Sequence, residues 1–231
     1  MNSLKRHKHA ILLTALVCVG LIRSFSHREV LGPVLSDLII AIVMLLVFLI
    51  VFHRRVNRLV AFIALTTAVV ADLAHYVLSD TAELPLQLII NSALLLLVGF
   101  ATFVILRNIF EQHFVGVDDV LGAMCGYLLA AAAWAHLFTL IEIFLPKSFS
   151  VGPGFGADLD TWNGRIAVMN YVSLGSLTSI GSSAVVPLRP PATILTTLEA
   201  VFGQFYIAVV VAMLVSARLS QRSQRNASLQ P

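Results

Sequence analysis

Long apolar runs separated by short polar knots organise this chain of 231 residues. Each run is near the ~20 residues that cross a bilayer, so each predicts a helix. The first spans about His9 to Phe25, the second Val34 to Phe52 and the third Leu59 to Leu78. The fourth, Leu84 to Leu106, carries no charge; the fifth runs from Val120 to Phe144 and the sixth from Ala192 to about Leu219. Asp118 and Asp119 stand where they would cap the fifth at its positive N-terminal end. Gly and Pro mark Leu145 to Arg165 as an exposed loop. Tyr171 to Pro187, YVSLGSLTSIGSSAVVP, breaks the pattern: it is uncharged, yet too rich in Gly, Ser and Thr for a plain spanning helix. Irregular backbone at membrane depth survives only when buried in protein or lining a watery cavity. A segment that dips into the membrane ahead of a long helix has the layout of an ion-channel pore loop.

Composition agrees with a membrane protein. The chain is 58% hydrophobic and 12% charged, with mean hydropathy +0.92, too much apolar surface for a soluble domain of this length to hide. Cys18 and Cys125 lie in apolar runs and predict neither a disulfide framework nor a metal site. The basic start before a short apolar run also fits a signal peptide, but no A-x-A-like site follows. A retained first helix is expected, with Arg23 snorkelling to the interface. Six spans with a cytoplasmic N-terminus put Lys5, Arg6, Lys8, Arg54, Arg55, Arg58, Arg107, Arg218, Arg222 and Arg225 inside. Arg23, Arg28, Lys147, Arg165 and Arg189 then lie outside. That excess predicts a cell-membrane protein with both termini cytoplasmic and the loop between spans five and six external. The net charge of +3 belongs to this asymmetry; the expected partner is the lipid bilayer, not nucleic acid.

Tyr171 to Pro187, with LEAVFGQFYIAV at 198–209, resembles the pore region of prokaryotic potassium channels. It is most similar to the single-pore bacterial proteins related to the two-pore-domain group. That family places a pore helix before a filter T-T-x-G-Y-G-D, then a proline and the inner helix. Thr178, Ser179, Ile180, Gly181 and Pro187 match in order, and the likeness covers about Trp162 to Arg218. The apolar runs predict an all-α membrane fold of six transmembrane helices, and the resemblance adds a re-entrant pore helix ending near Leu177 between the fifth and sixth; the first four helices resemble no named family. Residues 1–107 would be an N-terminal four-helix unit, 108–219 the pore unit and 220–231 a disordered cytoplasmic tail. One pore loop per chain implies a homotetramer. The implied filter is Thr178, Ser179, Ile180, Gly181, Ser182 and Ser183, with Gly203, Tyr206 and Val210 lining the inner pore and Glu199 and Glu142 supporting the filter. No cofactor is implied; the permeant species would be monovalent cations, potassium first. The breaks matter as much. Ser182-Ser183-Ala184 replaces the family's Tyr-Gly-Asp, removing a bracing ring, an anchoring carboxylate and a glycine that reaches left-handed angles. Relaxed potassium selectivity is the expectation, with Ser182 and Ser183 hydroxyls lining a wider outer site. The alternative is a non-conducting scaffold or regulatory subunit with a degenerate pore.

Other chemistries weigh less. The fourth span has no arginine ladder, which excludes that form of voltage sensing. Asp72 and His75 share a helical face and could sense pH, but a polar contact between helices, with Asp37, is the plainer reading. His53, His75, His113 and His136 show no paired spacing for a haem. No nucleophile or metalloprotease motif occurs, so an enzyme is not expected; a membrane enzyme or cofactor carrier is the third hypothesis. Gly122, Gly126, Ala130 and Ala133 form a small-residue ridge that predicts a close helix contact. Asp158 and Asp160 are candidates to concentrate cations at an outer mouth.

Overall fold

A computed structural model of the chain describes residues 8–26, 33–52, 55–78, 83–111 and 117–227. Seven helices and a short two-stranded ribbon make up these residues: α1 Lys8–Ser26, α2 Pro33–Val51, α3 Arg55–Leu78, α4 Glu83–Glu111, α5 Val117–Phe144, β1 Phe149–Val151, α6 Trp162–Leu177, β2 Val185–Pro187 and α7 Pro190–Ala227. Three stretches are long and apolar enough to cross a membrane: Leu84–Glu111, Val117–Phe144 and Pro190–Met213. The first three helices carry shorter apolar stretches, His9–Cys18, Ala41–Val51 and Asn57–Ala71. The chain is therefore a mostly helical membrane protein. The side chains of Asp37, Asp72 and His75 lie outside the described set, as do His53 and His113 entirely.

α5 is the helix that four others share. It packs against α4, α1, α6 and α7, and one apolar cluster joins Leu12 of α1, Phe48 and Phe52 around α2, Leu65 of α3, Leu97 of α4, Leu129 of α5 and Tyr206 of α7. That core crosses residue 107, so the expected four-helix unit and pore unit are not separate in their packing. The small-residue ridge explains the close approach. Gly122 faces the ring of His9, and Gly126 faces the hydroxyl of Tyr206 and the side chain of Ile105. Asp118 and Asp119 stand in the first turn of α5, as expected. Asp118 also reaches α1: its Oδ1 accepts from the backbone N–H of His9 at 3.3 Å, and its Oδ2 meets His9 Nδ1 at 2.8 Å. The first N–H groups of a helix lack intrahelical partners, and α5 supplies one to α1 from across the bundle.

A second cluster surrounds α6, combining Phe138, Phe149, Val168, Met169, Val172, Val185 and Ala192. The ribbon beside it is antiparallel, Phe149 opposite Pro187, Ser150 opposite Val186 and Val151 opposite Val185. Phe149 and Val185 turn inward, while Ser150 and Val186 are exposed. The segment before α6 is thus not wholly the exposed loop that its Gly and Pro content predicts. α7 also continues past Leu219 to Ala227; the polar tail has no Gly or Pro to stop it before Pro231, and Gln and Arg are good helix formers. Gly203 of α7 crosses the end of α6 so closely that a Cβ there would overlap the carbonyl oxygen of Leu177, whereas one at Gly99 would meet nothing. Gly203→Ala is expected to destabilise the fold by roughly 1–3 kcal/mol through overpacking. Gly99→Ala should be neutral or stabilising by about 0.5–1 kcal/mol. Thermal unfolding in detergent, read by circular dichroism for both variants, checks the pair.

Candidate functional site

The site is the end of α6 and the turn that follows it. The helix begins on a well-made cap. Thr161 is extended, with φ −92° and ψ 150°, and its Oγ1 accepts from Gly164 N. Asp158 holds that cap in place: its Oδ1 accepts from Thr161 N at 2.9 Å, from Thr161 Oγ1 at 2.9 Å and from Asp160 N at 3.1 Å. The bonds from Thr161 keep the Asp158 carboxyl below its ordinary range. Asp158 thereby has a structural task in addition to any effect of its charge. Arg165, one turn further on, donates from Nε to Leu159 O at 3.0 Å and from Nη1 to Gln87 Oε1. Gln87 opens a buried polar line. Its carbonyl accepts from Asn91 Nδ2 at 2.8 Å, and Asn91 Oδ1 meets His136 Nδ1 at 3.0 Å. An uncharged span drew no attention to Gln87 and Asn91. Their i, i+4 spacing within an apolar run was the available signal.

α6 has 16 residues, about 24 Å of helix, and it ends between α5 and α7. Leu177 O accepts from the hydroxyl of Tyr127 at 2.9 Å. Thr178 turns its Oγ1 back to Leu174 O at 2.6 Å. Ser179 then takes a left-handed conformation, φ 57°, and Gly181 another at φ 82°. A non-glycine residue in that region costs on the order of 1–3 kcal/mol unless its surroundings hold it. Here they do: Ser179 N donates to Ser176 O at 2.9 Å, and Ser179 Oγ accepts from Gln204 Nε2 of α7 at 2.8 Å. Gly181 N returns to Gly175 O at 2.9 Å, and a Cβ on Gly175 would come within 2.8 Å of Gly181 O. The turn is compact. Thr178, Ser179, Gly181 and Ser183 are nonetheless exposed, and Ile180 is 85% exposed.

Several expectations change on this geometry. The left-handed positions are Ser179 and Gly181, so a serine does adopt that conformation, but at Ser179, three residues before the Ser182-Ser183 pair. Ser182 does not present its hydroxyl outward; it donates to Val185 O at 2.7 Å and starts the ribbon. Tyr206 and Val210 are buried against the other helices, with Tyr206 Oη donating to Ala123 O at 2.7 Å. Buried inside the chain, they cannot line an inner pore. The exposed face of α7 carries Val201, Gln204, Phe205 and Val211 instead, and Gln204 was not anticipated. Gly203 is a point of contact with α6, not a lining residue.

The two glutamates divide their roles. Glu142, 7% exposed, accepts three backbone N–H groups: Lys147 at 2.8 Å on Oε1, and Ser148 at 3.0 Å and Phe149 at 3.1 Å on Oε2. It therefore shapes the turn into β1, not the backbone of α6. Glu199 is fully buried, and its Oε1 lies 2.5 Å from Ser173 Oγ on α6. No protein-family model matches this chain, and no curated protein or solved structure matches it either.

Glu142→Ala leaves the Ser148 and Phe149 N–H groups without an acceptor, at a cost of roughly 1–3 kcal/mol for each buried group. Hydrogen exchange at residues 148–149 should accelerate, while exchange in the middle of α1 stays unchanged. Asp158 predicts a pH effect at the other end of the loop. Its lowered titration point means that its support is present above the ordinary carboxylate range and is lost as pH falls through the lowered value. The protection of the Asp160 and Thr161 amides, taken relative to their intrinsic base-catalysed exchange, should fall on acidification, and Asp158→Asn should flatten that dependence.

Proposed function

We propose that this chain is a subunit of a potassium-channel-like cation pore, assembled as a homotetramer in the cell membrane with both termini cytoplasmic. Six membrane helices, with α6 as a re-entrant pore helix, form each subunit on this reading. The observation that carries it is an exposed, irregular, hydroxyl-rich turn deep beside a membrane helix. Gln204, which holds Ser179, stands about 21 Å along α7 from Pro190. Before and after the turn the chain is at the same end of the bundle, because β2 pairs with β1 close to the end of α5. Lipid cannot satisfy exposed backbone of this kind, whereas a water-filled axis can.

The unpartnered face of α7 supports the assembly. Of its apolar window 22% is buried, against 50% for those of α4 and α5, and the exposed side runs continuously into the turn. Copies of this chain meeting there would gather the Thr178 to Ser183 turns around one axis. The carbonyl end of α6 would face that axis and favour a cation. The Ser182-Ser183-Ala184 departure supports relaxed selectivity for potassium, since the rigid outer half of the family's filter is absent. The permeant ions would be monovalent cations, and no cofactor or catalytic step is needed. One observation favours the non-conducting scaffold as a second reading: Gly181 N–H is turned back to Gly175 O, which closes the turn where a filter would extend a row of carbonyls.

Flux of potassium and of sodium through the purified protein in liposomes separates the two. A pore predicts flux of both ions with a small potassium preference, abolished by Gly181→Asp in protein that keeps its size in mild detergent. Absence of flux across a range of voltage, pH and calcium would overturn the pore and leave the scaffold. Strong potassium selectivity would overturn the relaxed filter alone.

A further inference from the structure

Ser173 sits at the centre of a hydrogen-counting problem. Its Oγ lies 2.7 Å from the backbone carbonyl oxygen of Ala131 on α5 and 2.5 Å from Glu199 Oε1 on α7. A serine hydroxyl carries one hydrogen. A backbone carbonyl can only accept, so two acceptors would compete for that hydrogen if Glu199 were ionised. One of the two contacts would then be a bare oxygen–oxygen approach at hydrogen-bond distance. The count closes only if the second hydrogen comes from the glutamate. We infer that Glu199 is held as a neutral carboxylic acid that donates to Ser173 Oγ, which in turn donates to Ala131 O.

The surroundings agree with that assignment. Glu199 is fully buried, and its Oε2 is the buried side-chain oxygen without a hydrogen-bond partner among the described residues. An ionised carboxylate has acceptor sites on both oxygens and needs donors at each. Glu142 shows how this chain provides them, with three N–H groups shared over two oxygens. Glu199 has one hydroxyl. Among the described residues no Lys, Arg or His forms an ion pair with it. The titratable group facing it from α5 is Tyr127, whose hydroxyl hydrogen is committed to Leu177 O. From α6 it meets Ser173, and the neighbouring hydroxyl on its own helix, Thr196, donates to Ala192 O. Among the described residues no donor remains for a charge.

The relay ties α7 to α6 and α6 to α5 through two hydrogens in series, of which the acid proton of Glu199 is the one that titrates. Its consequence for conduction rests on the pore reading: the position of the turn after α6 would then depend on that proton. The protonation itself does not rest on conduction.

Infrared spectroscopy of the full chain in lipid at neutral pH tests it. A protonated-carboxyl C=O band is expected, lost in Glu199→Gln and moved to higher frequency in Ser173→Ala, where the acid loses its acceptor. Circular dichroism confirms that each variant keeps its helices. If Glu199→Gln does not fold, the Ser173→Ala shift decides. A spectrum from which Glu199→Gln removes no such band, or a band that Ser173→Ala leaves in place, overturns the inference. Flux with no band would overturn this inference and leave the pore standing; a band without flux would do the reverse.

Discussion

A helix that ends inside a bundle must satisfy its last carbonyls with protein, and α6 is such a helix. Its terminal groups are met one by one: Leu177 O by Tyr127, Leu174 O by Thr178, and Gly175 O by the N–H of Gly181. Each partner belongs to a different part of the fold. Tyr127 comes from α5, Thr178 from the helix's own next turn, and Gly181 from the returning chain. Gly203 makes the arrangement possible by leaving no side chain where α7 crosses Leu177. Without Tyr127 the carbonyl of Leu177 loses the hydroxyl that meets it, and a side chain at position 203 would force two helices apart.

Two buried glutamates hold opposite ends of this arrangement by different chemistry. Glu142 gathers three backbone N–H groups and so bends the chain after α5 into β1. β1 then fixes β2, which fixes the exit of the turn. Glu199 works at the middle of α6, through a single serine. A carboxyl with several N–H donors is comfortable with its charge; one facing a lone hydroxyl and a carbonyl is not. The same residue type thus serves as a turn-forming acceptor at one site and as a donor between helices at the other.

The shared core explains how the rest of the chain reaches this site. α5 carries the first helix through His9 and Asp118, the fourth through its longest contact, and the sixth and seventh through Tyr127, Ala131 and Gly126. Gln87 of α4 meets Arg165 at the start of α6. The N-terminal helices are therefore packed onto the elements that hold the turn.

Much of this was legible in the chain itself. Three apolar helices of membrane-crossing length, an uncharged Ser/Thr/Gly segment and a long helix after it follow from periodicity and composition, because helices and turns are local choices; six crossings do not, since the described apolar stretches of the first three helices are shorter. The close-packing ridge at Gly122 and Gly126 was readable for the same reason, whereas the end of α6 at Leu177 was implied by the resemblance to a pore region. What the sequence could not supply was the direction of each side chain across the bundle. Gly203, Tyr206 and Val210 share a face of α7 at helical spacing, and periodicity alone does not say whether that face meets an axis or α5. Only packing decided that it is buried and that Gln204 faces the turn. The strands at Phe149 and Val185, the capping of α1 by Asp118 and the pairing of Ser173 with Glu199 likewise join residues far apart in the chain. Such contacts are set by how helices cross, and no local pattern of residues encodes a crossing.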